Sequence, residues 1–314
     1  MASRSRRRSL MFMRLTYEAL QHFRNPYGRS NPPFTITARE ARMQIYTLNV
    51  GQGQFVIVTG STQAIIVDTY VPLNPSKDIV NVKGALAAIL QGKELVGLMV
   101  TGFDSDHFNE VGMKIVLNKY RPNWIMYPRY FKSTKTADAC FAVIRTYENQ
   151  TKFPKYSVSL DRNETRFYYK LSTDFYIEVF SPHAEDMSSS NNCSLVCKIT
   201  ERSTGRSYLV TGDTENDRWA SICRIFGAAI AADVLDAPHH GSRNGISAAA
   251  LKLIRPHTVL ISAGVNNQYG HPSPETRTLM ASHAQKCYET CFGTGQSLKT
   301  VADANGISTY KFNS

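Results

Sequence analysis

A chain of 314 residues, 42% of them apolar, can bury the core of one large α/β domain plus an extension, and no stretch approaches the ~18 consecutive apolar residues of a membrane span. Six scattered cysteines form no Cys-x-x-Cys pair, which argues against a cysteine zinc site and for reduced thiols in a soluble, cytoplasmic protein. The net charge of +11 is uneven: residues 1–43 hold nine Lys/Arg against two Asp/Glu, a net +7, and the remaining 271 residues hold 27 against 23, a net +4.

The basic extension opens MASRSRRRSLMFMRL, with an apolar patch too short for a secretory signal. It reads as a solvated arm or one that docks an acidic partner, with an organelle transit peptide as the alternative. Residues 16–31 predict a short helix ended by NPYGRSNPP. From Met43 the pattern changes: MQIYTLNV alternates as a strand, GQG breaks it, QFVIVTG resumes it and AIIVDTY is a third strand, an antiparallel start. Residues 79–96 predict a helix leading into the buried strand LVGLMV. A helix over 109–119, the strand WIMYPRYF and a helix over 133–150 follow. KYSVSL, TRFYYKL and FYIEVFS alternate as strands, and SLVCKIT with RSYLVTGD predicts a hairpin around ERSTGR. NDRWASICRIFG is a helix and AADVLDAPHHGSRN a strand running into a loop. SAAALKLIRP is a helix, HTVLISAG a strand, and SPETRTLMASHAQK a helix capped by Ser273. CYETCFGT and GISTYKF predict the final strands.

Polar residues gather where these strands stop: Asp68, Asp104 to His107, Asp213, His239 with His240, and His271. Clusters at strand ends can converge at one edge of a layered α/β structure. In TGFDSDHFNE (Thr101–Glu110) an Asp and a His on a tight loop can turn toward one cation, carboxylate oxygen and imidazole nitrogen together suiting zinc or manganese. The bland alternative is an Asx-rich turn opening a helix. The pair in PHHGSR is harder to explain as packing, since buried histidines are costly unless hydrogen-bonded or metallated.

Seven motifs in order give a resemblance: LNVGQGQ (Leu48–Gln54), VDTY (Val67–Tyr70), TGFDSDH (Thr101–His107), NNCSLV (Asn191–Val196), LVTGD (Leu209–Asp213), APHHGS (Ala237–Ser242) and NQYGHPSPE (Asn267–Glu275). From about residue 44 to the C-terminus the chain resembles the metallo-β-lactamase fold, in the branch typified by the nuclease-like domain of the DNA-uptake protein ComEC. The resemblance implies an α/β fold, an αββα sandwich over 44–314, with residues 1–43 as a basic extension outside it. It implies hydrolysis of phosphodiesters, in DNA or in phosphorylcholine-type substrates, with one or two divalent ions. By this resemblance Asp106, His107, Asp213 and His240 would hold one ion, zinc or manganese. Asp104 would orient water or act as general base. His239, His271 and Arg243 would steady charge on the phosphate.

The sequence departs from the pattern at Gly102, where the branch has its first histidine, at Asn49 and Gln54 flanking VGQG, and at Tyr70 in place of the glycine of DTG. Asn191 or Asn192 stands near the third-histidine position, as in this branch. A second ion would therefore be held weakly, if at all. A metal-poor module that binds nucleic acid or a protein partner is the rival reading, and an esterase for phosphorylcholine-type substrates is the third.

Overall fold

The strand pattern at the start of the folded region sets the architecture. The computed structural model describes residues 42–313 apart from 76, 78, 130–132, 152–153, 161–163 and 185–188. The expectations for the basic extension, including its helix over 16–31, lie outside the described residues except at Arg42 and Met43. β1 (Arg42–Thr47), β2 (Val56–Thr59) and β3 (Gln63–Val67) form the antiparallel start. The chain then crosses through α1 (Val82–Ile89) to β4 (Glu94–Met99), through α2 (Glu110–Tyr120) to β5 (Trp124–Pro128), and through α3 (Lys135–Thr151) to β6 (Lys155–Val158). Those strands pair in parallel. The second sheet starts with β7 (Arg166–Tyr168), β8 (Phe175–Ser181), β9 (Val196–Glu201) and β10 (Ser207–Val210), all antiparallel. It continues in parallel through α4 (Asn216–Phe226), β11 (Val234–Asp236), α5 (Ala248–Ile254), β12 (Thr258–Ile261), α6 (Pro274–His283) and β13 (Lys286–Glu289).

The C-terminus returns to the first sheet. β14 (Ser297–Asp303) pairs antiparallel with β1, and β15 (Gly306–Phe312) closes a hairpin on it. The sheet orders are β15-β14-β1-β2-β3-β4-β5-β6 and β13-β12-β11-β10-β9-β8-β7. The sequence reading places strands at CYETCFGT and GISTYKF but none at SLKTVAD, the segment that becomes β14. On that segment the face toward the core carries Leu298, Thr300 and Ala302, so a hydroxyl interrupts its apolar stripe, and Ser297 is buried on the other face.

Side chains alternate across each strand and produce three buried layers. Ile65, Met99 and Trp124 meet Ile177, Cys197, Tyr208 and Val210 between the sheets. On the outer face of the first sheet Ile66 and Leu98 pack with Leu86, Met113, Val116 and Ile144 of the first three helices. On the outer face of the second, Leu209 and Leu235 pack with Trp219, Leu251 and Met280 of the last three. Helices thus cover both outer faces of two stacked sheets, an αββα sandwich. No helix among the described residues is long and apolar enough to cross a membrane.

The polar clusters of the sequence lie in the segments that follow β3, β4, β10, β11 and β12. Loops at the C-terminal ends of parallel strands are where an α/β sheet builds its sites.

Candidate metal centre

The loop after β4 is fixed from three sides. Thr69 N donates to His107 O at 2.8 Å, and Gln54 N donates to Asp106 O at 2.9 Å. His107 N and Phe108 N both donate to Asp104 O, folding DSDH into a tight turn. Gly53 of the GQG stretch must lack a side chain here. A Cβ on it would lie 2.1 Å from the Tyr70 ring and 2.7 Å from Asp106 O.

The two histidines of the cluster are each oriented by the nitrogen that faces away from it. His107 Nδ1 donates to Asp68 Oδ2 at 2.8 Å. Asp68 is fully buried at φ 58° and also accepts from Thr101 N at 2.7 Å and Thr101 Oγ1 at 2.6 Å. His240 Nδ1 donates to the carbonyl of Ser262 at 2.7 Å. A carbonyl only accepts, so Nδ1 carries a proton and Nε2 of the neutral ring is left with its lone pair.

Those Nε2 atoms face two carboxylates. His107 Nε2 lies 2.9 Å from Asp213 Oδ1. His240 Nε2 lies 3.6 Å from Asp106 Oδ2 and 3.8 Å from Asp213 Oδ1. Asp213 is set by its backbone, whose N–H donates to Ser194 Oγ at 3.0 Å. One donor atom from each of Asp106, His107, Asp213 and His240 lies within 4.8 Å of the others. With the rings neutral, His107 Nε2, His240 Nε2 and Asp213 Oδ1 are buried and have no hydrogen-bond partner among the described residues despite their closeness. Buried polar atoms are normally satisfied, so three orphans pointing at one another need an explanation. Two donors about 2.1 Å from a shared tetrahedral ion lie roughly 3.4 Å apart, close to these separations. The residues fit a divalent cation of borderline softness.

The electrostatics agree. Burial opposes charge on Asp213, but His107 and His240 outweigh it and hold the carboxyl well below the usual range. Burial likewise opposes charge on His107, and Asp213 and Asp68 overcome it, raising the imidazole well above its ordinary value. His240 is raised against burial by Asp106 and Asp213. Asp106 is lowered against burial by His240 and His107. A buried cluster that favours both carboxylates ionised attracts positive charge, which the two imidazoles carry as protons when no ion is bound and which a cation would replace.

Asp104, His239 and His271 line the same cleft, of about 500 Å³, without joining the four-residue cluster. His239 Nδ1 lies 3.3 Å from Glu215 Oε1, and its ring meets the edge of His271 with centroids 5.6 Å apart. Asn267 fixes the His271 loop by accepting from His271 N at 3.0 Å and donating to Gly264 O at 2.9 Å. Arg243 is a correction: it pairs with Glu275 at 2.6 Å on the exposed surface and does not line the cleft. Asn191 Nδ2 donates to Glu215 Oε1 at 3.1 Å, and Asn192 Oδ1 accepts from Glu215 N at 3.2 Å. Both asparagines therefore support Glu215, which the sequence reading missed. It also gave no role to Asp68, although VDTY at a strand end was a visible signal. The Ser262 carbonyl has no sequence signal at all.

No protein-family profile matches the chain. The chain is 28% identical over 220 residues to ComE operon protein 3 of Bacillus subtilis (strain 168). That match spans 70% of this chain but a quarter of the relative's length, 25%. Among solved structures it is similar to Igni18, described as a novel metallo hydrolase, from Ignicoccus hospitalis KIN4/I. The TM-score is 0.50 and the identity 15%, over 86% of this chain and 100% of the other. It is also similar to CmlA, a diiron β-hydroxylase from Streptomyces venezuelae, with TM-score 0.50 and 12% identity over 90% of this chain and 55% of the other.

Proposed function

From a chain that has the metallo-β-lactamase fold and resembles the ComEC branch in sequence, we infer a metal-dependent hydrolase that cleaves phosphodiesters, nucleic acid foremost. The observation that carries the reading is the convergence of three buried, hydrogen-bond-free donor atoms, on His107, Asp213 and His240, beside Asp106. These four residues would hold one ion, zinc or manganese. When bound, such an ion supplies Lewis acidity, polarising a phosphoryl oxygen and bringing the pKa of water toward about 7.

The remaining roles belong to the chain. Asp104, at the wall of the cleft, orients the attacking water and accepts its proton. As the water oxygen bonds to phosphorus, the bond to the leaving ester oxygen breaks, that oxygen takes up a proton from solvent water, and Asp104 returns its proton to solvent. His239 and His271 stand side by side where negative charge grows on the phosphoryl oxygens and donate hydrogen bonds to them. Asp68 and the Ser262 carbonyl keep the two ligand imidazoles turned inward.

The test measures metal content and turnover of bis-p-nitrophenyl phosphate by the full chain with manganese or zinc present. About one equivalent of metal is expected, with turnover abolished by prolonged chelation and cut roughly 100-fold or more by Asp213→Ala. Turnover surviving both treatments overturns the reading. A protein with neither bound metal nor turnover is the metal-poor binding module instead.

A further inference from the structure

The cleft continues past the ligand cluster. Gln52 and Tyr70 form a wall shared with a second cavity of about 560 Å³. The two spaces differ in charge. The first presents Asp104, Asp106 and Asp213 with three histidines, whereas no charged side chain is found among the described residues lining the second. Its lining is built from amides, notably Asn49, Asn74 and Asn266, and from apolar Ile79 and Val265.

The shared wall is fixed. Gly53 leaves room for the Tyr70 ring, and Tyr70 N donates to Gln54 O at 3.1 Å. Gln52 Oε1 accepts from Gly264 N at 3.1 Å, which sets the amide plane. Its Nε2 has no acceptor among the described residues.

These features select a ligand class. An anionic substituent would find no cation in the described lining of the second cavity. A quaternary ammonium calls for several ring faces or a carboxylate, and among the described residues there the lining has a single ring, Tyr70, and no carboxylate. A neutral planar heterocycle with hydrogen-bonding edges matches one ring face, a directed amide and apolar walls. The volume lies within the roughly 300–1,000 Å³ of small-molecule sites. Resting on the phosphodiesterase reading above, we propose that this cavity seats the nucleoside joined to the scissile phosphate, its base against Tyr70 and its edge toward Gln52 Nε2.

Calorimetric titration of the full chain tests this with three probes: inorganic phosphate, thymidine 5′-monophosphate and phosphorylcholine. Thymidine 5′-monophosphate is expected to bind at least tenfold more tightly than inorganic phosphate. Val265 is 38% exposed, so Val265→Trp can fill the cavity from its rim and should bring that affinity ratio toward one. A wild-type ratio near one with measurable phosphate binding overturns the subsite and leaves the hydrolase reading standing. Phosphorylcholine binding as tightly as the nucleotide overturns the nucleoside assignment. No binding of any probe, with no turnover of bis-p-nitrophenyl phosphate, overturns both readings.

Discussion

Asp236, at the end of β11, is 1% exposed, and its carboxyl oxygen accepts from Gln54 Nε2 at 2.5 Å. Burial raises the carboxyl from 3.8 to about 7, and the Gln54 bond opposes that rise without cancelling it. Between those two values the folded chain holds a proton that the unfolded chain has lost. The stabilisation is complete below about pH 4, declines as pH rises, and is gone above about pH 7. A gap of this size corresponds to about 4 kcal/mol at most. Asp236→Asn keeps an acceptor for Gln54 and removes the titration. In metal-free protein the variant should match the wild type near pH 4 and exceed it by about 1–4 kcal/mol at pH 8 in urea unfolding. Parallel pH profiles for the two proteins would rule this account out.

The loop between β4 and α2 is the element on which the number of ions turns. Gly102 faces a small recess shared with Asp104, Ser190 and Cys193. A Cβ there would meet only Ser194 Oγ, at 4.0 Å, so the position has room for a Cβ without displacing its neighbours. With one ion sufficient, Gly102→His should draw metal content toward two equivalents while turnover stays level or falls. A rise in both would identify a two-ion centre that has lost a ligand. This loop was legible in sequence because Asp106 and His107 are adjacent and follow an apolar strand. β3 and β4 were legible for the same reason of pattern. The supports were not. Asp68 reaches His107 across 39 residues of sequence, and Ser262 contributes a backbone carbonyl that any residue type could supply. β14 hid because Thr300 interrupts the apolar face of Leu298 and Ala302, while Ser297, whose hydroxyl accepts from Asn49 N at 2.9 Å, is buried on the opposite face.

At the scale of the two sheets, the ligand set is split evenly. Asp106 and His107 follow β4 of the first sheet, and Asp213 and His240 follow β10 and β11 of the second. A bound ion would therefore act as a cross-link. It would bridge two positions about 100 residues apart, His107 and Asp213, and stabilise the folded chain, which alone brings the four side chains together. At 100 times its Kd, a ligand specific to the folded state adds about 2.7 kcal/mol. Zinc or manganese should thus raise the Tm by several degrees, chelation should reverse the shift, and Asp213→Ala should abolish it; a Tm indifferent to metal in the wild type would contradict this coupling. Scarcity of metal would then limit not only turnover but the abundance of folded protein, so that the same four side chains would govern how long each molecule survives proteolysis.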